Sequence, residues 1–98
     1  RILVLGSAAG GGFPQWNCNC SGCRAARDGK AVPRTQSSLA VTADGKSWFL
    51  LNASPDLRQQ IGTHACFHPR SGARDSPIAG AVIPSGDVDH VEGLLDLR

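Results

Sequence analysis

The sequence predicts an α/β fold, a β-sheet with helices packed against it, and three observations carry that expectation. Two apolar runs, residues 2–5 and 78–83, have the length and composition of buried strands. Residues 37–42 and 47–52 flank Ala43-Asp44-Gly45-Lys46, and Asp-Gly between strand-like runs is a strong hairpin signal. Helix-forming stretches follow the hairpin and the last strand, so the order is strand, hairpin, helix, strand, helix.

Taken in order, residues 6–12 after the first strand form a glycine-rich loop, and Phe13-Pro14 argues against a helix there. Gly6, Gly10 and Gly12 match a GxxxGxG variant of the dinucleotide fingerprint. That fingerprint needs a helix to start at once and aim its N-terminus at a pyrophosphate, and here Pro14 and a group of cysteines occupy that place. No Lys-Ser or Lys-Thr follows to make a P-loop. The glycines therefore predict close backbone approach and unusual φ values. Residues 48–51 are apolar in succession, which predicts a strand covered on both faces. Ser54 is placed to cap a helix, with Pro55 at its first position, Asp56 suited to its dipole and Gly62 closing it. Residues 64–77 are polar and contain proline, a loop. Residues 84–90 make a further loop at the C-terminal edge of the last strand, and from Val91 a helix is expected, with Val91, Leu94 and Leu95 on one face.

Both ends fall inside strand-like or helix-like runs, and the expectation is that residues 1–98 are the N-terminal part of one larger domain. A chain of 98 residues buries only ~60–65% of its unfolded surface. Such a part would leave an apolar sheet face open. The net charge of +2 gives no electrostatic footprint for nucleic acid or anionic membrane, and the basic residues Arg24, Arg27, Lys30 and Arg34 are scattered rather than paired with an aromatic platform. No apolar run approaches the ~20 residues of a membrane span, and no signal-peptide pattern precedes the first strand.

Three of the four cysteines, Cys18, Cys20 and Cys23, fall within six residues. Thiols so crowded cannot easily reach disulfide geometry, but they suit a soft cation in a reducing compartment, which points to the cytoplasm. The CxCxxC spacing predicts a structural zinc site. The fourth ligand is open: Asp28, His64, Cys66, His68 or a residue beyond Arg98 are the candidates, with Cys66 the one better read as an inert small side chain.

The second motif is Ser85-Gly86-Asp87-Val88-Asp89-His90-Val91-Glu92-Gly93, between a strand and a helix. It has the place and spacing of the HxHxDHxxG motif of the metallo-β-lactamase fold, with Ser85 and Asp87 where the two leading histidines would stand and with Asp89, His90 and Gly93 kept. Carboxylates with one imidazole favour harder or redox metals such as iron or manganese over zinc.

Together, residues 3–20, Arg34-Thr35-Gln36-Ser37-Ser38, Asn52-Ala53-Ser54-Pro55-Asp56, Asp87-Val88-Asp89-His90 and Gly93-Leu94-Leu95 resemble the opening third of the coenzyme PQQ synthesis protein B family. The resemblance runs through essentially the whole chain. It implies the first part of a metallo-β-lactamase-like αββα sandwich, one mixed sheet with flanking helices. It implies a role in making pyrroloquinoline quinone (PQQ), a redox cofactor built from a Glu and a Tyr of a precursor peptide. It carries structural zinc onto Cys18, Cys20 and Cys23, and an active-site Fe(II) onto Asp89 and His90, with Asp87 as a third catalytic residue. Two activities follow from the resemblance: an iron-dependent oxygenase that hydroxylates the tyrosine ring of the Glu-Tyr unit, or a carrier that moves the quinone or its precursor toward the periplasm. The partner is thus a small, dipeptide-like precursor rather than nucleic acid, and a homo-oligomer is compatible with this reading without being specified by it. A zinc hydrolase is disfavoured by the missing histidine pair.

Overall fold

The computed structural model describes residues 1–98, and its sheet has four strands in the order β1 (Ile2–Gly6), β2 (Ser38–Val41), β3 (Trp48–Leu51), β4 (Ile78–Val82). β1 and β2 are antiparallel, as are β2 and β3, whereas β3 and β4 are parallel. The β2–β3 hairpin forms where Asp44-Gly45 predicts it. Gly45 adopts φ +76°, and Asp44 Oδ1 accepts hydrogen bonds from the Lys46 and Ser47 amides at 2.8 and 2.9 Å. These bonds, Ser47 first, hold the Asp44 carboxyl below its ordinary pKa.

Register explains which residues are buried. One row across the sheet is Leu3, Ala40, Leu50 and Ala81, and it faces the core. That core is Leu5, Ala40, Trp48, Leu50, Ala53, Leu57 and Phe67, with the Trp48 and Phe67 rings edge-to-face at 5.3 Å. The alternate rows contain Ile2 and Phe49, and Val4 and Val82, all of them exposed. Within these 98 residues β3 is enclosed on one face only: Trp48 and Leu50 are buried, whereas Phe49 is exposed beside Ile2, Val4 and Val82 on an open apolar face, so the expected cover on both faces of residues 48–51 is not formed by this stretch of chain.

Helix α2 (Leu57–Gly62) covers the core face and starts later than the Ser54 cap predicts. Its cap position is Asp56, whose side chain makes no capping bond, because that carboxylate is taken by the amide and Nε2 of Gln36 at 2.9 and 3.1 Å. Ser54 turns inward and donates to Gln60 Oε1 at 3.0 Å, while Gln60 Nε2 donates to Thr35 Oγ1 and the Gln36 carbonyl, both at 2.9 Å. Gln60 and Ser54 are fully enclosed, so this is a satisfied polar network beneath the sheet. Gly6 is required there: a Cβ would lie 2.2 Å from the Gln36 carbonyl and 2.5 Å from Gln60 Nε2.

Two further elements depart from expectation. Helix α1 (Ser21–Arg27) begins inside the cysteine cluster, where no helix was expected, because Cys20 rather than a Ser or Asp caps it. After β4 the chain makes only a single α-turn, α3 (Val88–Val91), and tightens into a 3-10 helix over Glu92–Leu97. Leu94 and Leu97 then line an apolar groove beside Ile78, Gly80 and Ala81 instead of forming one α-helical stripe with Val91. No helix is long and apolar enough to cross a membrane.

Candidate metal centres

β1, β3 and β4 run in the same direction, so their C-terminal ends share one edge of the sheet. The loops leaving those ends are the glycine loop, the segment around Ala53 and the segment around Ser85. They meet there, and side chains at such an edge are well placed to form a site.

The glycine loop has the φ values its composition predicts, Gly11 at +92° and Gly12 at +78°. It is tied down by the Gly11 amide, which donates to Gln36 Oε1 at 3.0 Å, and by a backbone bridge between Phe13 and Arg34. The chain then enters the cysteine segment. Arg27, on the last turn of α1, reaches back to donate to the carbonyls of Cys18 at 2.7 Å and Gln15 at 2.6 Å. The sequence offers no signal for this clamp, since Arg27 reads there as one of several scattered basic residues.

The sulfurs of Cys18, Cys20 and Cys23 lie within 4.8 Å of one another, and all are free thiols. Tetrahedral thiolates at ~2.3 Å from zinc would sit about 3.8 Å apart, a spacing compatible with this grouping. The thiols are not equivalent. The Cys23 amide, donating to Cys20 Sγ at 3.3 Å, is the main cause that draws the Cys20 thiol down to about 7. For Cys23 a bond from the Gln15 backbone pulls downward, but burial and the neighbouring sulfurs of Cys20 and Cys18 outweigh it and leave the thiol raised. Of the fourth-ligand candidates, Asp28, His64, Cys66 and His68 do not join the cluster. Asp28 ends α1, His64 Nδ1 and His68 Nε2 are engaged with the carbonyls of Gln60 and Gly62, and Cys66 packs against the core as a small apolar side chain.

The second group forms at the end of β4. Side-chain donors of Asp87, Asp89 and His90 lie within 4.8 Å of one another, with Asp87 exposed and the other two half-buried. Asp87 caps α3 through its backbone: its carbonyl accepts from the His90 and Val91 amides at 2.9 and 3.1 Å, which leaves its carboxylate free. His90 Nε2 lies 3.8 Å from Asp89 Oδ2, and His90 Nδ1 is hydrogen-bonded to Ser85 Oγ. The turn is fastened to the sheet by the Ala53 amide donating to the His90 carbonyl at 2.8 Å and the Gly93 amide donating to the Ala53 carbonyl at 2.9 Å. Gly93 is needed at that junction, because a Cβ would sit 2.2 Å from the Ser54 carbonyl. The glycine loop closes the other side: a Cβ at Gly10 would come within 3.2 Å of Asp89 Oδ2. The side chains of both candidate sets are therefore brought together. Ser85, Gly10 and Arg27 are the contributors that residue type alone does not reveal. An open cleft of about 310 Å³ between Gly12 and Arg34 contains none of the candidate ligands.

A sequence-family profile described as β-lactamase superfamily domain matches residues 47–98, more than half of the chain and all of the second motif. The chain belongs to the β-lactamase superfamily. Among superfamily members it is 61% identical, over its whole length, to coenzyme PQQ synthesis protein B of Rhodopseudomonas palustris, of which it covers 32%. It is 60% identical to the protein of that description from Methylorubrum extorquens, of which it covers 33%. The chain thus spans about a third of the length of these curated relatives. The crystal structure of Zn²⁺-bound PqqB from Methylobacterium extorquens matches 99% of this chain and 33% of its own, with a TM-score of 0.95 at 60% identity. A diphosphatase of the PhnP family matches with a TM-score of 0.76 at 29% identity, over 99% of this chain and 34% of its own. The α/β expectation, with one mixed sheet and a metallo-β-lactamase-like arrangement, is borne out.

Proposed function

We propose that residues 1–98 are the N-terminal part of a single metallo-β-lactamase-like domain that acts in PQQ biosynthesis as an iron-dependent oxygenase on the tyrosine ring of a Glu-Tyr-derived precursor. The observation that carries this reading is the gathering of two carboxylates and one imidazole within 4.8 Å at the loop edge of the sheet, in a chain 61% identical to a PQQ synthesis protein. Asp89 and His90 would hold Fe(II), with Asp87 beside them, a donor set suited to a harder metal than the sulfur cluster takes. An iron ion bound by these residues would supply the oxygen activation that ring hydroxylation needs. This chain's residues supply the frame. Ala53 and Gly93 fix the His90 turn, and Gly10 leaves room for the Asp89 carboxylate. Cys18, Cys20 and Cys23 would hold zinc as a structural staple for the glycine loop, and free thiols so grouped suit a reducing cytoplasm.

The test is metal counting on the whole protein, purified without oxygen, and on its Asp89→Ala variant. Zinc in both, with iron taken up by the wild type alone and precursor hydroxylation lost in the variant, is the expected result. Retained hydroxylation in Asp89→Ala would sink the assignment. Ser85 and Asp87 in the histidine positions favour a second reading, a carrier of the quinone or its precursor, and that reading takes over if neither protein binds iron.

A further inference from the structure

Ser85 is the residue that the second motif sets in place of a metal-binding histidine, yet it is not idle. Its Oγ is hydrogen-bonded to His90 Nδ1 and lies 3.3 Å from the Asp87 amide, which donates to it. The serine hydroxyl thus touches two of the three gathered candidates, one through its ring and one through its backbone. A neutral imidazole carries its proton on one nitrogen and offers a lone pair on the other. Here Nε2 points toward Asp89 Oδ2 at 3.8 Å, into the donor group, while Nδ1 points away to Ser85.

We propose that Ser85 is a positioning residue for the metal centre: its oxygen accepts the Nδ1 proton of His90 and thereby presents Nε2 as the ligand atom. The inference rests on the reading of Asp89 and His90 as metal ligands. The hydroxyl has the capacity for this role. Its two lone pairs accept the Asp87 amide and the His90 Nδ1–H together, and its own proton remains free to turn outward. The reverse arrangement, with Ser85 donating to Nδ1, leaves the proton on Nε2, where it blocks a metal ion. A bound ion therefore selects the first arrangement, and the serine fixes ring orientation as well as tautomer. Partners of this kind on a ligating histidine are worth about 10–100-fold in metal affinity. The bond to the Asp87 amide does a second job, holding the start of α3 in the geometry that sets Asp87 beside Asp89.

The experiment measures Mn(II) binding, read from the electron paramagnetic resonance of the free ion, on the whole protein with zinc already in its cysteine cluster. Wild type, Ser85→Ala, Ser85→Thr and Asp89→Ala are compared, with zinc content and melting temperature recorded for each. The expected result is a loss of about 10–100-fold in Ser85→Ala, recovery in Ser85→Thr, which keeps the hydroxyl, and near-abolished binding in Asp89→Ala. Wild-type affinity in Ser85→Ala, with binding lost in Asp89→Ala, overturns the role of Ser85 and leaves the metal site standing. Equal weakening in Ser85→Ala and Ser85→Thr also overturns it, since packing rather than the hydroxyl would then be responsible. Wild-type affinity in Asp89→Ala removes the metal site itself.

Discussion

Gly93→Ala tests whether the turn that carries His90 is clamped as tightly as it looks. The added Cβ would lie 2.2 Å from the Ser54 carbonyl oxygen and 2.9 Å from both the carbon and the oxygen of the Ala53 carbonyl. Real Cβ contacts essentially never fall under 3.0 Å, so the two backbones must part by about 0.8 Å (3.0 − 2.2). None of these atoms is the end of a flexible side chain. Ala53 and Ser54 are fully enclosed, and the segment is held by the Ser38 hydroxyl on the Asn52 carbonyl at 2.9 Å as well as by the two bonds to α3. Overpacking of this kind costs about 1–3 kcal/mol, and each of the two strained backbone bonds adds roughly 0.5–1.5 kcal/mol, so a total of roughly 2–6 kcal/mol is expected. That is a large share of the ~5–15 kcal/mol that holds an ordinary domain folded. Guanidinium unfolding of the whole protein reads the cost as a lower midpoint, with zinc retained by the cysteine cluster and Mn(II) binding weakened at the Asp89–His90 site. Gly62→Ala is the control: nothing lies within 4 Å of a Cβ there and its φ is not positive, so the midpoint should hold or rise by about 0.4–1 kcal/mol. A Gly93→Ala protein with unchanged midpoint and unchanged Mn(II) affinity would refute the reasoning.

Two more outcomes follow from hydrogen bonds that sequence reading does not reveal. In metal-stripped protein Cys20 should be the first thiol alkylated by iodoacetamide, with its rate half-maximal near pH 7, because its pKa is drawn down to about 7 from 9.0. A folded pKa below the unfolded one means that the thiolate's contribution to stability is complete above pH 9.0 and is lost as the pH falls through 7. The same midpoint in folded and urea-unfolded protein would contradict this. Gln60→Glu keeps the shape but sets a carboxylate oxygen against the Gln36 carbonyl and Thr35 Oγ1, where Nε2 now donates. It should cost at least about 2 kcal/mol in a urea titration with unchanged slope, and a neutral result would mean that the enclosed network is not what holds α2 to the Thr35-Gln36 segment.

The succession of strands along the chain, the hairpin at Asp44-Gly45 and the grouping of Cys18, Cys20 and Cys23 and of Asp87, Asp89 and His90 are legible because each rests on local chemistry: period, turn residues, donor spacing. What stayed hidden depends on distant partners. Helix α1 went unseen because a cysteine caps it, and Asp56 was assigned to the α2 dipole because nothing nearby in sequence reveals that Gln36 claims its carboxylate. Residues 48–51 read as doubly covered because apolar side chains at successive positions look alike whether or not the far face has a neighbour; Trp48 and Leu50 are enclosed, while Phe49 is exposed. Ser85 reads as a lost ligand until its bond to His90 is visible.

The glycine loop passes beside Asp89 at Gly10 and leads directly into Cys18, so a single stretch of backbone joins the two groups of candidate ligands. During synthesis the cysteines leave the ribosome well before Asp87, Asp89 and His90. An ion captured early by the sulfurs would hold the loop in shape while the rest of the sheet is still being made. The wall beside Asp89 would then be set before Asp89 exists, and if the sulfurs do take an ion, its loss would disturb the Asp87, Asp89 and His90 group without altering any of its residues.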